Sequence, residues 1–152
     1  MYKRQALAYL VFNTINNLTT QGAQVECFRN AAAHLRPGGR FVVEVGVPAL
    51  RRLPTGQDMV PFSVECDGVG DGAVGFDRYD VTTQHFTSNH VSVAGGRGRL
   101  RAIPFRYLWP SELDLMARLA GLVPEHRWGD WARSPFTADS DKHVSVWVTP
   151  TG

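Results

Sequence analysis

Four polar residues, Asn13, Thr14, Asn16 and Asn17, crowd around Ile15 directly after the apolar run Ala6-Leu7-Ala8-Tyr9-Leu10-Val11-Phe12. Side-chain amides and a hydroxyl both give and accept hydrogen bonds, which suits holding a polar ligand in place rather than attacking it. The same residue types also build turns, so an ordinary role stands beside the ligand-binding one. Of five histidines, His85, His90 and His143 are the candidate general bases. His143 follows Asp139-Ser140-Asp141, a loop that could orient its ring, while His85 and His90 lack metal-ligand spacing and no metal site is expected. Glu44 lies among apolar neighbours, where a carboxylate serves as a base or is held by local hydrogen bonds. Tyr79, Tyr107, Trp109, Trp128 and Trp131 supply large rings, the material of a core or of a lid over a cationic ligand.

The elements that must position these residues are legible in the pattern. Residues 6–12 form a short continuous apolar run stopped by turn formers, and this predicts a strand covered on both faces. Thr19-Thr20 can cap a helix reaching about Leu35, with Val25, Phe28, Ala32 and Leu35 along one face and Pro37-Gly38-Gly39 as its stop. Phe41–Val45 reads as a second buried strand, so strand, helix and strand predict a parallel pair with a right-handed crossover. The polar cluster then falls just past the carboxyl end of a parallel strand, where open α/β sheets place ligands.

From Pro48 to about Arg106 the texture changes to short alternating pieces: Phe62–Cys66, Gly75–Val81, Gln84–Ser88, His90–Ala94 and Arg99–Tyr107. Gly68, Gly70 and Gly72 punctuate one joint and Gly95-Gly96-Arg97-Gly98 another, which predicts an antiparallel layer. Ser111 reads as the N-cap of a second helix with Leu113, Met116, Ala117 and Ala120 on its apolar face. A strand near Pro124–Trp131, a loop through Ser134–Lys142 and a last strand His143–Thr149 complete the chain.

Composition excludes several classes. A net charge of +2 with scattered basic residues argues against nucleic acid, even with Arg97, Arg99, Arg101 and Arg106 near one another. No apolar run approaches the roughly 18 residues of a membrane span. The chain is expected to be cytoplasmic, with Cys27 and Cys66 reduced and partly buried. Met1-Tyr2-Lys3-Arg4-Gln5 lacks the turn and cap that normally precede a buried strand, so residues 1–5 are expected to be non-native or disordered and the domain to begin part-way through.

The run His34-Leu35-Arg36-Pro37-Gly38-Gly39-Arg40-Phe41-Val42-Val43-Glu44 resembles the helix-to-strand joint before the fifth strand of class I S-adenosylmethionine-dependent methyltransferases. Glu112-Leu113 to Ala120-Gly121-Leu122 is similar to a later helix of that family, and Leu10-Val11-Phe12-Asn13-Thr14 to its fourth strand and cofactor-touching loop. The resemblance covers residues 6–48 and 107–149. It implies an α/β fold class: a partial Rossmann-like methyltransferase sheet, later strands only, with an antiparallel β insertion. Residues 6–149 would be the carboxy-terminal part of the domain and residues 50–107 its substrate-side insertion.

The activity so implied is methyl transfer from S-adenosylmethionine to a nitrogen or oxygen of a small molecule. Phe12, Asn13, Thr14, Asn16 and Asn17 would contact the cofactor, and Tyr79, Arg106, Tyr107, Trp109 and Trp131 the substrate. The family's glycine-rich loop after its first strand is not in this sequence, because both glycine clusters sit in hairpin joints. The chain alone is therefore expected to be inactive, and its exposed first strand to favour a homo-oligomer. A non-catalytic small-ligand-binding module or a sheet-completing partner is the alternative.

Overall fold

A computed structural model describes residues 5–66, 68 and 70–151. They form a mixed α/β structure of two four-stranded sheets and two α-helices. The chain divides into two compact units, one reaching up to Pro48 and resuming at Leu108, the other spanning Ala49–Tyr107. Among the described residues no helix is long and apolar enough to cross a membrane.

In the first unit, β1 (Gln5–Leu10) pairs in parallel with β2 (Leu35–Gly46), and α1 (Gln21–His34) is the crossover between them. The Thr20 hydroxyl caps α1 by accepting from the Ala23 amide at 3.2 Å. The helix does not run on to a Pro-Gly-Gly stop. It ends at His34, and Pro37-Gly38-Gly39 lies inside β2, where the pairing with β1 slips between Gln5 and Leu7. A bulge of this kind needs the small residue: a Cβ on Gly39 would sit 2.8 Å from the Arg36 carbonyl oxygen and 3.1 Å from that of Gln5.

α2 (Pro110–Leu119) follows, then β7 (Val123–Trp128) and β8 (Lys142–Val148). The N-cap of α2 is Trp109 rather than Ser111. Pro110 takes the first helical position, where its fixed φ and missing N–H cost nothing, and this shifts the start by two residues. The sheet order is β1-β2-β8-β7, with β8 antiparallel to both neighbours.

Alternation along β2 decides the two faces of this sheet. Phe41, Val43 and Val45 join Phe28, Leu113, Met116 and Trp147 in the core under both helices. Phe28 packs edge-on against Phe41 and Trp147, at 5.0 and 5.3 Å between centroids. The residues between them, Arg40, Val42 and Glu44, point to the opposite face with Val144 and Val146, their partners on β8 being set by register. The first strand departs from its expected burial. It lies at the sheet edge, with Leu7 52% and Tyr9 63% exposed. Only Ala8 and Leu10 reach the core, because an edge strand with helices on one side buries alternate residues.

The second unit is an antiparallel meander, β3 (Met59–Cys66), β4 (Gly72–Asp80), β5 (His85–Ala94) and β6 (Arg97–Arg106), paired in that order. The pieces expected at Gln84–Ser88 and His90–Ala94 are one strand. The polar Asn89 between them stays in the ladder, opposite Phe76 and Ala102, and its side chain donates to the Thr87 carbonyl at 2.9 Å. Cys66 is exposed at the end of its strand, not partly buried, while Cys27 is half-buried on α1 with its thiol pushed up by burial.

Candidate functional site

Past the carboxyl ends of β1 and β2 the chain closes a small polar corner. After Leu10 the backbone turns through Phe12 and Asn13, both left-handed at φ 53° and 57°, into a short 3-10 turn at Thr14–Asn17. Non-glycine residues occupy that region at a cost, so the surroundings must hold them there. They do. The Asn13 side-chain oxygen accepts from the Gly46 amide at 2.6 Å, tying this turn to the end of β2. The Phe12 amide donates to a Glu44 carboxylate oxygen at 3.2 Å.

Glu44 is the hub of the corner. Only 8% exposed, it also receives the Lys142 ammonium at 3.3 Å and a hydrogen bond from Trp131. Burial alone would push its carboxyl up. The Phe12 amide, Trp131 and Lys142 outweigh that and hold it below the ordinary glutamate value. The Val47 amide donates to the Asp141 carbonyl at 2.8 Å, joining the loop before β8 to the same corner.

The five expected cofactor contacts therefore lie together, with two kinds of task among them. Asn13 spends its oxygen on the Gly46 amide, Asn17 donates to the Thr14 carbonyl at 3.2 Å within the turn, and the Thr14 hydroxyl donates to the Val11 carbonyl. Two groups are left for something else. The Phe12 ring is 87% exposed, and the buried side-chain oxygen of Asn16 has no hydrogen-bond partner. A buried acceptor without a donor is uncommon in a folded protein and marks a place where one is expected.

The expected substrate contacts separate. Trp131 stands in this corner through Glu44, and Trp109 caps α2. Tyr79, Arg106 and Tyr107 belong to the second unit, where the two tyrosine rings are 5.8 Å apart and Arg106 donates to the Gln84 side chain at 3.0 Å. Burial, and next the charge of Asp77, push the Tyr79 hydroxyl up to about 12, so it stays protonated.

His143 has no accessible surface and points to the helix side of the sheet. Its Nδ1 is 2.8 Å from the Ser145 hydroxyl, while its Nε2 is buried without a partner. Ser145 in turn accepts from Arg127, which pairs with Asp114 at 2.7 Å, and Asp114 accepts from the Trp147 indole at 3.0 Å. Burial, and then the nearby Arg127 charge, lower His143 to about 4, so its ring is neutral near pH 7. In this setting the imidazole packs and orients within a core network. His85 borders a cavity of the second unit with Arg78 and Asp80, and His90 lies 3.3 Å from the Ser88 hydroxyl. Among the described residues no three His, Cys, Asp or Glu side chains cluster as metal ligands.

Sequence reasoning missed Lys142 and the Gly46 amide. The Gly46 amide enters because β1 and β2 run parallel and end side by side, and Lys142 enters through β8 running antiparallel to β2, which brings the start of one strand beside the end of the other. No local pattern around Lys142 announces that pairing.

The fold has close counterparts. The CcbJ methyltransferase from Streptomyces caelestis superposes with a TM-score of 0.84 at 35% sequence identity, over 98% of this chain and 62% of that one. The chain resembles S-adenosylmethionine-dependent methyltransferases. It spans less than two thirds of the length of CcbJ. A S-adenosylmethionine-dependent methyltransferase from Clostridium acetobutylicum matches at TM-score 0.76 and 10% identity, over 99% of this chain and 61% of its own. CalS10, an amino pentose methyltransferase from Micromonospora echinaspora solved with S-adenosylmethionine bound, matches at 0.63 and 18%, over 96% and 59%. These last two share the fold alone. No family sequence model and no curated protein matches the chain.

Proposed function

We propose that this chain is the carboxy-terminal part of a domain that transfers a methyl group from S-adenosylmethionine to a nitrogen or oxygen of a small molecule. The observation that carries the reading is the corner past β1: an exposed Phe12, a left-handed Phe12-Asn13 backbone and an unpartnered buried Asn16 oxygen, at the carboxyl end of a parallel strand. The sheet order β1-β2-β8-β7, with only β8 reversed, is read as the later strands of a Rossmann-like sheet. Residues 50–107 are read as its substrate-side insertion.

These residues fit one end of the cofactor. Phe12 offers a ring face, Asn16 an acceptor, and Glu44 with Asn13 fixes the loop that presents them. When bound, S-adenosylmethionine supplies a methyl group on a positively charged sulfur. The chain's own part is alignment, and alignment of the reacting groups is a large share of what such a transfer needs. His143 is assigned no step, and Tyr79, Arg106 and Tyr107 remain substrate-facing residues in this reading. We read the protein as cytoplasmic, a compartment that suits the free Cys27 and Cys66.

The test joins this chain to the part of CcbJ that it does not cover, then titrates S-adenosylhomocysteine calorimetrically and assays labelled methyl transfer to a panel of amines and alcohols. Cofactor binding by the joined protein, with none by the 152-residue chain alone, is the expected result. A folded joined protein that binds nothing overturns the proposal. The exposed apolar β1 edge favours a second reading, a module that completes its sheet with another chain. It predicts stable association and no cofactor binding in either form.

A further inference from the structure

The second unit carries a carboxylate where its sheet would be expected to be apolar. Residues directly opposite one another in an antiparallel pair share a face, so the register gives that face row by row. The first row is Tyr79, Phe86 and Phe105, with stacked rings 5.2 and 5.0 Å apart. The next row is Val60, Asp77, Ser88 and Ile103. The third is Gly75, His90 and Arg101, and here Phe62, the extra residue of the β3 irregularity, lies over Gly75 and meets the His90 ring edge-on at 5.4 Å. Gly75 is required for that arrangement, since a Cβ there would fall 2.2 Å from the Phe62 ring.

Asp77 thus sits between Val60 and Ser88, with Ile103 beyond Ser88, an aromatic row on one side and Phe62 in the row on the other. Ser88, almost fully buried, hydrogen-bonds to the Asp77 carboxyl, and its hydroxyl is 3.3 Å from His90 Nε2. A serine has one proton to give, so this chain of contacts serves one side of the carboxylate. The other oxygen, Oδ1, is buried with no partner. Leaving a charged acceptor buried and unsatisfied is costly, and the group that removes the cost is a strong N–H donor, preferably cationic. Aromatic faces beside it favour the same kind of group. Arg101 occupies the row beyond Asp77 from the stacked rings, so an ammonium is drawn toward the aromatic side.

We propose that Asp77, with Ser88 behind it and the Tyr79–Phe86–Phe105 row beside it, is a binding subsite for the amino group of a small organic ligand. This rests on the small-molecule reading above, because it names the group the acceptor would present, yet its test uses no cofactor.

The probe is 2-phenylethylamine, titrated into the full chain by nuclear magnetic resonance, with 2-phenylethanol as the neutral control of the same shape. The amine is expected to bind roughly tenfold tighter than the alcohol, the size of one charge-assisted contact. Asp77→Asn is expected to bring the amine down to the alcohol's affinity while leaving the alcohol unchanged. Equal affinities in the unsubstituted chain, no binding of the amine, or an undiminished amine affinity in Asp77→Asn would each overturn the proposal. The comparison of the two probes needs no variant and holds even where the substitution disturbs folding. A joined protein that transfers methyl groups without distinguishing amine from alcohol here would retain the function and sink the subsite. The converse result would sink the function and retain the subsite.

Discussion

Lowering the pH should weaken this fold through His143 before it reaches the carboxylates. The ring is buried and neutral, lowered from 6.5 to about 4 first by burial and then by Arg127. A group held this way binds fewer protons folded than unfolded across that interval, so its stabilising contribution is complete above its unfolded value and is lost as pH falls toward about 4. The drop amounts to on the order of 3 kcal/mol in full, of which about 2 kcal/mol should disappear between roughly pH 7.5 and roughly pH 5. Glu44, held below its ordinary 4.5, works in the same direction but loses its contribution only below that value, so the two windows separate. Urea denaturation at fixed protein concentration, repeated across the range, gives the slope. His143→Asn removes the titrating ring. It should be less stable at neutral pH for want of volume, yet its stability should be nearly flat over the window where the parent declines. Parallel slopes for parent and variant would refute the reasoning, because they would mean that the ring reaches solvent and protonates in the folded state.

The same core network predicts that Asp114→Ala costs roughly 2–3 kcal/mol by urea denaturation, since it takes the carboxylate from the Arg127 guanidinium, which keeps Ser145 and the Pro110 carbonyl, and the acceptor from the Trp147 indole. Gly75→Ala should cost about 1–3 kcal/mol, read the same way, by forcing the Phe62 ring off its place. An exposed β1 edge should make the chain associate, and light scattering over a concentration series should show Tyr9→Lys reducing that association.

Much of the first unit was legible because its signals are local. A continuous apolar run, a threonine cap and a second apolar run sit within about forty residues, and β1, α1 and β2 follow from them in order, though Pro37-Gly38-Gly39 lies inside β2 rather than ending the helix. The errors come from context that no short window holds. Residues 6–12 read as covered on both faces, but burial of a strand depends on its neighbours, and β1 has one neighbour only in this sheet. Ser111 is a good cap by type, yet the proline before it had already started the helix. His143 invited a catalytic reading because Asp139 and Asp141 precede it, whereas strand alternation turns its ring to the helix side. Glu44 was legible as a held carboxylate. Its partners Phe12, Trp131 and Lys142 were not, because they converge through strand pairing between distant segments. Asp77 stayed silent in the sequence for the same reason: its paired neighbours come from two other strands.

The central claim is that the turn past β1 holds the methyl donor, and amide hydrogen exchange tests it most directly. The joined protein would be exchanged with and without S-adenosylhomocysteine and the change located by residue. The account predicts added protection at residues 12–17 and at Gly46, whose amide is tied to Asn13, and little change around the already buried His143. Tight binding that leaves residues 12–17 exchanging as before would contradict it.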